Sequence, residues 1–313
     1  MIRLSVVIPT FERSARLRSL IAALEAQTLP TEEFEVIVAD DGSRDETQRV
    51  LAELAERTPI NLRVVRNVEN RGPSAARNLG WRASQAPIIA FTDDDCIPSP
   101  GWLEAGLARF EGTRAGIVQG RTIPDPATPM TGWAKTLRYE QLSGLYESCN
   151  VFYRKDVLSS VEGFDEEITV PFGEDTAVGW KARRHGVSTE FAYDALVLHD
   201  VTYPPLRYWW RYAMMHGHFA TLVRRFPEMR RELLWCRLFV WRDHAVFDAA
   251  VFGAVTGFLW WPAFALVLPY LYLRRPRRLS RYEVKVALVW PLYDAAILVG
   301  LLKGSLRERT LVL

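Results

Sequence analysis

The 313-residue chain has few cysteines, few lysines and no real surplus of either charge. Cys96, Cys149 and Cys236 lack metal-ligand spacing and are too few for a disulfide framework. They are expected to be reduced thiols of a cytosolic protein. Only five of the 39 basic residues are lysine, a bias that reads as genome composition rather than chemistry. The formal net charge is +2, and acids and bases alternate through the first 200 residues. That leaves no basic footprint, and no nucleic-acid partner is expected. The apolar run at the N-terminus ends at Pro9 and is too short for a signal peptide. It reads as a first strand and is expected to leave the N-terminal domain in the cytosol.

The first half of the chain alternates between two periodicities. Strand-like runs occupy Leu4–Pro9, Phe34–Ala39, Leu62–Arg66 and Ala86–Phe91. Between them, Ser14–Gln27 puts Leu17, Leu20, Ile21 and Leu24 on one helical face. Ser43 and Glu46 have the spacing of a capping box ahead of a helix with Val50, Leu51 and Leu54. Pro73 opens a third helix, where its missing N–H costs nothing. Strict alternation predicts an α/β fold with a mostly parallel sheet flanked by helices. Ligands of such sheets bind beyond the carboxyl ends of the strands. Four polar clusters fall at that rim: Thr10–Glu12, Asp40–Ser43, Arg71–Asn78 and Asp93–Asp95.

The last cluster poses a question of charge. Three adjacent carboxylates follow the core-like run Ile88–Phe91. They tolerate one another best around a cation, and hard carboxylate oxygens select Mg²⁺ or Mn²⁺. The start of the Pro73 helix offers N–H groups and a dipole to an anion, with Arg71 and Arg77 able to add charge-assisted hydrogen bonds. Asp41 can accept from a base N–H or a ribose hydroxyl. Further on, Ile117–Gly120 and Cys149–Tyr153 read as strands, and Arg121–Glu147 as an irregular, functional or mobile insertion. Gly173–Gly186 reads as a helix that opens on two acids, Glu174 and Asp175.

Six motifs, VVIPTFER, ADDGSRDET, NRGPSAARN, FTDDDC, CNVFYRKDVLSSVEGFDE and FGEDTAVGWKARRHG, resemble glycosyltransferase family 2 in order and spacing, over about residues 3 to 200. The resemblance implies a GT-A fold, a nucleotide-sugar donor, a divalent metal and inversion at the anomeric carbon. Position by position it implies donor contacts from Pro9, Thr10, Glu12, Asp41, Arg71, Arg77, Asp93 and Asp94. It implies metal contacts from Asp95, Asp93 and His199, with Mg²⁺ or Mn²⁺ as the ion. Asp175 matches the family's catalytic base, with Glu174 beside it as acceptor or orienting group. By family habit the donor carries UDP or dTDP ahead of GDP. The Q-x-x-R-W motif of processive synthases is missing beyond His199, which argues against that class.

Beyond residue 204 the composition changes. Residues 205–244 are expected to form amphipathic interfacial helices, with Leu206–Phe226 lying on a membrane and His216 and His218 facing solvent or headgroups. Residues 245–313 are expected to form a hydrophobic helical pair. Ala249–Leu273 runs 25 residues without a charge, and Val286–Leu302 is apolar apart from Asp294. Two spans are favoured, with a re-entrant or in-plane pair as the alternative. The connecting RRPRRLSRYE holds five arginines, which sits poorly with a loop outside the membrane. The expected protein is a glycosyltransferase at the cytoplasmic (inner) membrane, its catalytic domain facing the cytosol. Its acceptor is expected to be a lipid-linked or glycan precursor. A polyprenyl-phosphate sugar transferase and a non-catalytic nucleotide-sugar-binding scaffold are the alternatives.

Overall fold

The computed structural model describes residues 1–276 and 280–313, with Tyr282 described by its backbone alone. Arg277 and Arg278, counted above in the basic loop, lie outside the described residues. The chain divides into two compact units. The first comprises Met1–Pro129 and Thr136–Thr202, the second Met130–Lys135 and Tyr203–Leu313.

The first unit opens with three strand–helix pairs: β1 (Leu4–Thr10), α1 (Ser14–Glu25), β2 (Phe34–Asp40), α2 (Thr47–Arg57), β3 (Asn61–Arg66) and α3 (Pro73–Ala83). It continues through β4 (Ile88–Phe91), β5 (Cys96–Pro98), α4 (Trp102–Ala108), β6 (Ala115–Pro124), β7 (Val151–Arg154), α5 (Lys155–Ser160), α6 (Glu174–Arg184) and β8 (Ser188–His199). The strands form one eight-stranded sheet in the order β3-β2-β1-β4-β7-β6-β8-β5. β3, β2, β1 and β4 are parallel, so Thr10, Asp40 and the Thr92–Asp95 turn emerge at one rim. β7 reverses direction beside β4, and β5 pairs antiparallel with β8 at the far edge. β1, β2 and β4 are almost wholly buried because helices cover both faces.

One local expectation fails. α2 starts at Thr47, and Ser43 does not cap it. Ser43 instead donates its N–H to Asp40 Oδ1 at 2.9 Å, and its Oγ accepts from the N–H of Glu12 at 2.9 Å. Asp45 takes the capping role, accepting from Thr47 N at 2.9 Å. Gly42, at φ +81, permits this path: a Cβ there would lie 2.6 Å from the backbone of Glu69.

The second unit is helical: α7 (Leu206–Met215), α8 (His218–Arg225), α9 (Met229–Glu232), α10 (Arg242–Thr256), a 3₁₀ turn (Trp261–Leu266), α11 (Val267–Arg274) and α12 (Arg281–Glu308). α7 and α8 pack on α12. Gly300 and Gly304 allow the close approach, since a Cβ on Gly304 would meet the Gly217 carbonyl oxygen at 2.1 Å. The expected interfacial helix over Leu206–Phe226 is therefore broken near Gly217. His216 also departs from expectation. It is buried, its Nδ1–H donates to the Tyr212 and Ala213 carbonyls, and it packs against Trp241 rather than facing solvent.

In the hydrophobic pair, the two stretches differ. Ala249–Leu273 does not form one spanning helix, because α10 ends at Thr256 and the chain turns back through the 3₁₀ segment into α11. Gly257 and Pro262 mark that reversal. The turn leaves Phe258, Leu259, Trp260 and Trp261 strongly exposed. Among the described residues one helix segment, Glu283–Glu308, is long and apolar enough to cross a membrane. Its odd residue, Asp294, is buried on a partner: Arg274 reaches both its oxygens at 3.0 Å, and the Tyr270 hydroxyl donates to it at 2.6 Å.

Candidate active site

The three adjacent carboxylates part ways at once. Asp94 turns into the fold, where Thr10 Oγ1 donates to its Oδ2 at 2.8 Å and Arg13 to its Oδ1 at 2.9 Å. Burial raises its pKa to about 6 against the pull of Arg13. Asp94 thus locks β1 to β4 instead of facing the rim as a donor contact. Thr10, also expected at the donor, is held in that lock. Pro9 lies half-buried in the same strand, and Glu12 sits exposed in a left-handed backbone conformation at φ 54.

Asp95 divides its two oxygens. Arg13 holds Oδ2 at 3.1 Å, while Oδ1 lies 3.7 Å from His199 Nε2. The β5–β8 ladder puts Cys96 opposite His199, which brings the end of β8 to the end of the acidic turn. His199 Nδ1 lies 2.9 Å from the carbonyl oxygen of Asp200. A carbonyl only accepts, so Nδ1 carries the proton and the Nε2 lone pair faces Asp95. Asp95, Cys96 and His199 bring a ligand atom each within 4.8 Å of one another. A carboxylate and a correctly protonated imidazole fit a divalent cation. Asp93, expected to share the metal, stands outside this group and turns to Arg77.

Arg77 is the hub on the other side. Its guanidinium donates to Asp93 Oδ1 at 2.8 Å and to Glu174 Oε1 at 3.0 Å, and it is buried. One cation therefore ties the D-x-D turn to the start of α6. Arg71 does not join it; its guanidinium pairs with Glu166 at 2.8 Å. The N–H groups ahead of α3 are also taken. Asp41, buried, accepts from Gly72 N at 2.8 Å, Arg71 N at 3.1 Å and Asn67 Nδ2 at 2.7 Å. The carboxylate expected to meet a base thus holds the two N–H groups just ahead of α3.

Gly173, left-handed at φ 86, aims the first turn of α6 at this hub. Asp175 accepts from Thr176 N at 2.7 Å and from Ser148 N at 3.2 Å, which fixes its orientation. Burial raises the pKa of both Glu174 and Asp175, and their mutual repulsion adds to the rise on Glu174. Arg77 pulls both down, so one buried cation balances more than one buried acid.

Sequence reasoning missed three participants. Arg13 belongs to the first motif but was not singled out. Cys96 was read as an idle thiol. Glu147 lay unmarked at the end of an irregular segment, where no spacing rule reaches. It is buried and accepts from Gln119 Nε2 at 2.5 Å and Ser143 Oγ at 2.6 Å. Burial pushes its carboxyl up to about 7, with Asp175 adding repulsion. Its Oε1 is buried without a hydrogen-bond partner. The segment is strapped to α6 by Thr176 Oγ1, which donates to the Leu145 carbonyl at 2.9 Å, and by Trp180 Nε1, which donates to the Gly144 carbonyl at 2.9 Å.

Comparison with known proteins follows the same outline. The family model for glycosyl transferase family 2 matches residues 5–160. Glycosyltransferase AglE of Haloferax volcanii is 30% identical over 203 residues, covering 62% of this chain and 66% of AglE. Validoxylamine A glucosyltransferase of Streptomyces hygroscopicus subsp. jinggangensis is 27% identical over 291 residues, covering 80% of this chain and 65% of that protein. The chain thus spans just under two thirds of the length of these relatives. Among solved structures, mannosyltransferase PcManGT from Pyrobaculum calidifontis, in complex with GDP-Man and Mn²⁺, superposes with a TM-score of 0.71 at 18% identity, covering 98% of this chain and 88% of that one. S. aureus TarS 1-349 with UDP-GlcNAc gives 0.55 at 18% identity, covering 99% and 93%. At such identity the likeness establishes the fold, which is GT-A.

Proposed function

Because the chain belongs to glycosyl transferase family 2, we propose that it is a metal-dependent, inverting glycosyltransferase. It moves a sugar from a nucleotide-sugar donor to a hydroxyl of a membrane-linked glycan or lipid acceptor. The observation that carries this reading is the buried Arg77, bonded at once to Asp93 of the acidic turn and Glu174 of the GED motif. Donor-side and acceptor-side acids are thereby held at fixed spacing on one rim.

Asp95 and His199 would hold the divalent ion, Mg²⁺ or Mn²⁺; the similar structure of PcManGT is a complex with Mn²⁺. Such an ion supplies positive charge against the leaving diphosphate. Asp175 takes the proton of the acceptor hydroxyl as general base, on the face opposite the leaving group. Two backbone N–H groups aim its carboxylate, and burial raises its basicity toward working pH. Glu174 is spent on Arg77 and acts as the orienting partner. Asp93, on the same arginine, would meet the donor's ribose or sugar.

Membrane association is supported by the apolar Glu283–Glu308 helix and by the exposed Phe258–Trp261 turn. The cytoplasmic (inner) membrane, with the catalytic unit toward the cytosol, is the location this suits. Two of the similar solved structures carry GDP-Man and UDP-GlcNAc, so the nucleotide is the first thing to measure. Calorimetric titration of detergent-purified protein with UDP, dTDP and GDP, with and without Mn²⁺, is expected to give metal-dependent binding of one nucleotide, lost in Asp95→Asn. Asp175→Asn is expected to keep that binding and to lose about 10²- to 10⁴-fold in turnover. Nucleotide binding untouched by Asp95→Asn overturns the metal assignment, and near-normal turnover in Asp175→Asn overturns the base.

A further inference from the structure

The acidic turn carries a thiol where a purely hard-ligand site would not. Cys96 and His199 are directly opposed in the antiparallel β5–β8 pair. Directly opposed residues project to the same face with Cβ atoms about 4.5–5.5 Å apart, so their side chains are neighbours by construction of the sheet. Cys96 Sγ lies 3.9 Å from Asp95 Oδ1, and His199 Nε2 lies 3.7 Å from that same oxygen. All three ligand atoms fall within 4.8 Å of one another. Metal–sulfur bonds of about 2.3 Å and metal–nitrogen or metal–oxygen bonds of about 2.0–2.2 Å put tetrahedral ligand pairs roughly 3.3–3.8 Å apart. The cluster therefore needs only a small contraction around an ion.

Arg13 holds Asp95 Oδ2 at 3.1 Å. The His199 tautomer is set by the Asp200 carbonyl, which leaves Nε2 as the ligand atom. Cys149 is buried beside Cys96 and hydrogen-bonds to its thiol, with its Sγ also 3.9 Å from Thr122 Oγ1, but it is not part of the three-ligand group.

We propose that Cys96 is a third protein ligand of the metal site, and that the site prefers a borderline or soft divalent ion over Mg²⁺. The inference rests on the glycosyltransferase reading only in sharing its Asp95 and His199. The chemistry is that of the donor set: one oxygen, one imidazole nitrogen and one sulfur suit Co²⁺, Zn²⁺ or Cd²⁺, whereas Mg²⁺ demands oxygen. When the sulfur–metal bond forms, the Cys96 S–H bond breaks and its proton leaves to buffer. A fourth position stays open for a diphosphate oxygen or water.

The test is optical and needs no turnover. Co²⁺ is added to the full-length protein in detergent, in wild type, Cys96→Ser, Cys149→Ser and Asp95→Asn. The expected result is visible ligand-field bands together with a sulfur-to-cobalt charge-transfer band in the near ultraviolet. The charge-transfer band disappears in Cys96→Ser while the ligand-field bands remain, and both survive in Cys149→Ser. Asp95→Asn weakens both. Competition in wild type is expected to rank Cd²⁺ above Mg²⁺ by roughly tenfold or more, a margin that shrinks in Cys96→Ser. That ranking uses the unaltered chain and so does not depend on the serine variant folding. Ligand-field bands without charge transfer in wild type overturn the cysteine ligand and leave the two-residue metal site standing. A charge-transfer band lost in Cys149→Ser instead assigns the sulfur to the wrong residue here. Failure of Co²⁺ to bind at all overturns the soft-ion preference, while Mn²⁺-dependent nucleotide binding judges the enzyme reading separately.

Discussion

Replacing Arg77 by methionine tests the electrostatic core of the site. Arg77 is buried, and its partners Asp93 and Glu174 accept from it at 2.8 and 3.0 Å. It also lowers the pKa of Asp175. Methionine keeps most of the side-chain volume but removes the charge, so a buried acid is left uncompensated. Removing one partner of a buried pair costs about 3–5 kcal/mol. For a domain of this size each kcal/mol shifts the melting temperature by roughly 2–4 °C, so the loss near pH 8 is about 6–20 °C. Glu174 and Asp175 already sit above their ordinary range, and without Arg77 they rise further. Acids whose folded pKa is raised contribute stability below their unfolded pKa and lose it as pH climbs through the folded value. The variant's deficit is therefore greatest at pH 8 and shrinks toward pH 5, where the acids take up protons. Near-ultraviolet circular dichroism melts at both pH values read this directly. Arg77→Lys keeps the charge without the fork and should fall between the two. A deficit that is equal at both pH values, or greater at pH 5, refutes the placement of Arg77 as the cation that draws the pKa of these acids down.

Glu147→Gln probes a second buried acid. Its carboxyl titrates at about 7 in place of an ordinary 4.5, so wild type loses up to about 3 kcal/mol between pH 5 and pH 8 that the glutamine variant keeps. Denaturant titrations at the two pH values should show the variant gaining relative to wild type as pH rises, and a constant difference would contradict the assignment. Trp260→Ser combined with Trp261→Ser tests the exposed turn of the second unit. Losing the burial of two large side chains in lipid should weaken partition onto vesicles at least tenfold, measured by flotation, with nucleotide binding unchanged. Undiminished flotation would remove that turn from the membrane reading.

Periodicity alone made much of the catalytic unit legible. The runs at Leu4, Phe34 and Ile88 become buried parallel strands because apolar stretches bounded by turn residues have few other ways to be buried, and the Leu62 run adds the half-exposed edge strand β3. Carboxylates at the ends of such strands are displaced to one rim whatever the details, so the acidic turn could be marked as a site, whereas Glu174 and Asp175, which open α6, were marked by the family motif. Resemblance added the family, and the matched model agrees with it. Direction was not legible. Asp93, Asp94 and Asp95 are chemically identical neighbours, and only the turn decides which meets Arg77, which meets Thr10 and which meets His199. Asp41 and Arg71 looked available because their partners, Gly72 N and Glu166, come from elsewhere in the chain. In the tail, hydropathy measured the length of Ala249–Leu273 but not that it folds back between α10 and α11. The sequence by itself determined which segments must be buried and which residue types gather at the sheet's rim, since hydrophobicity and charge are local properties. Tertiary structure alone decided which carboxylate faces which cation, and set Cys96 opposite His199, because strand register couples residues that lie a hundred positions apart.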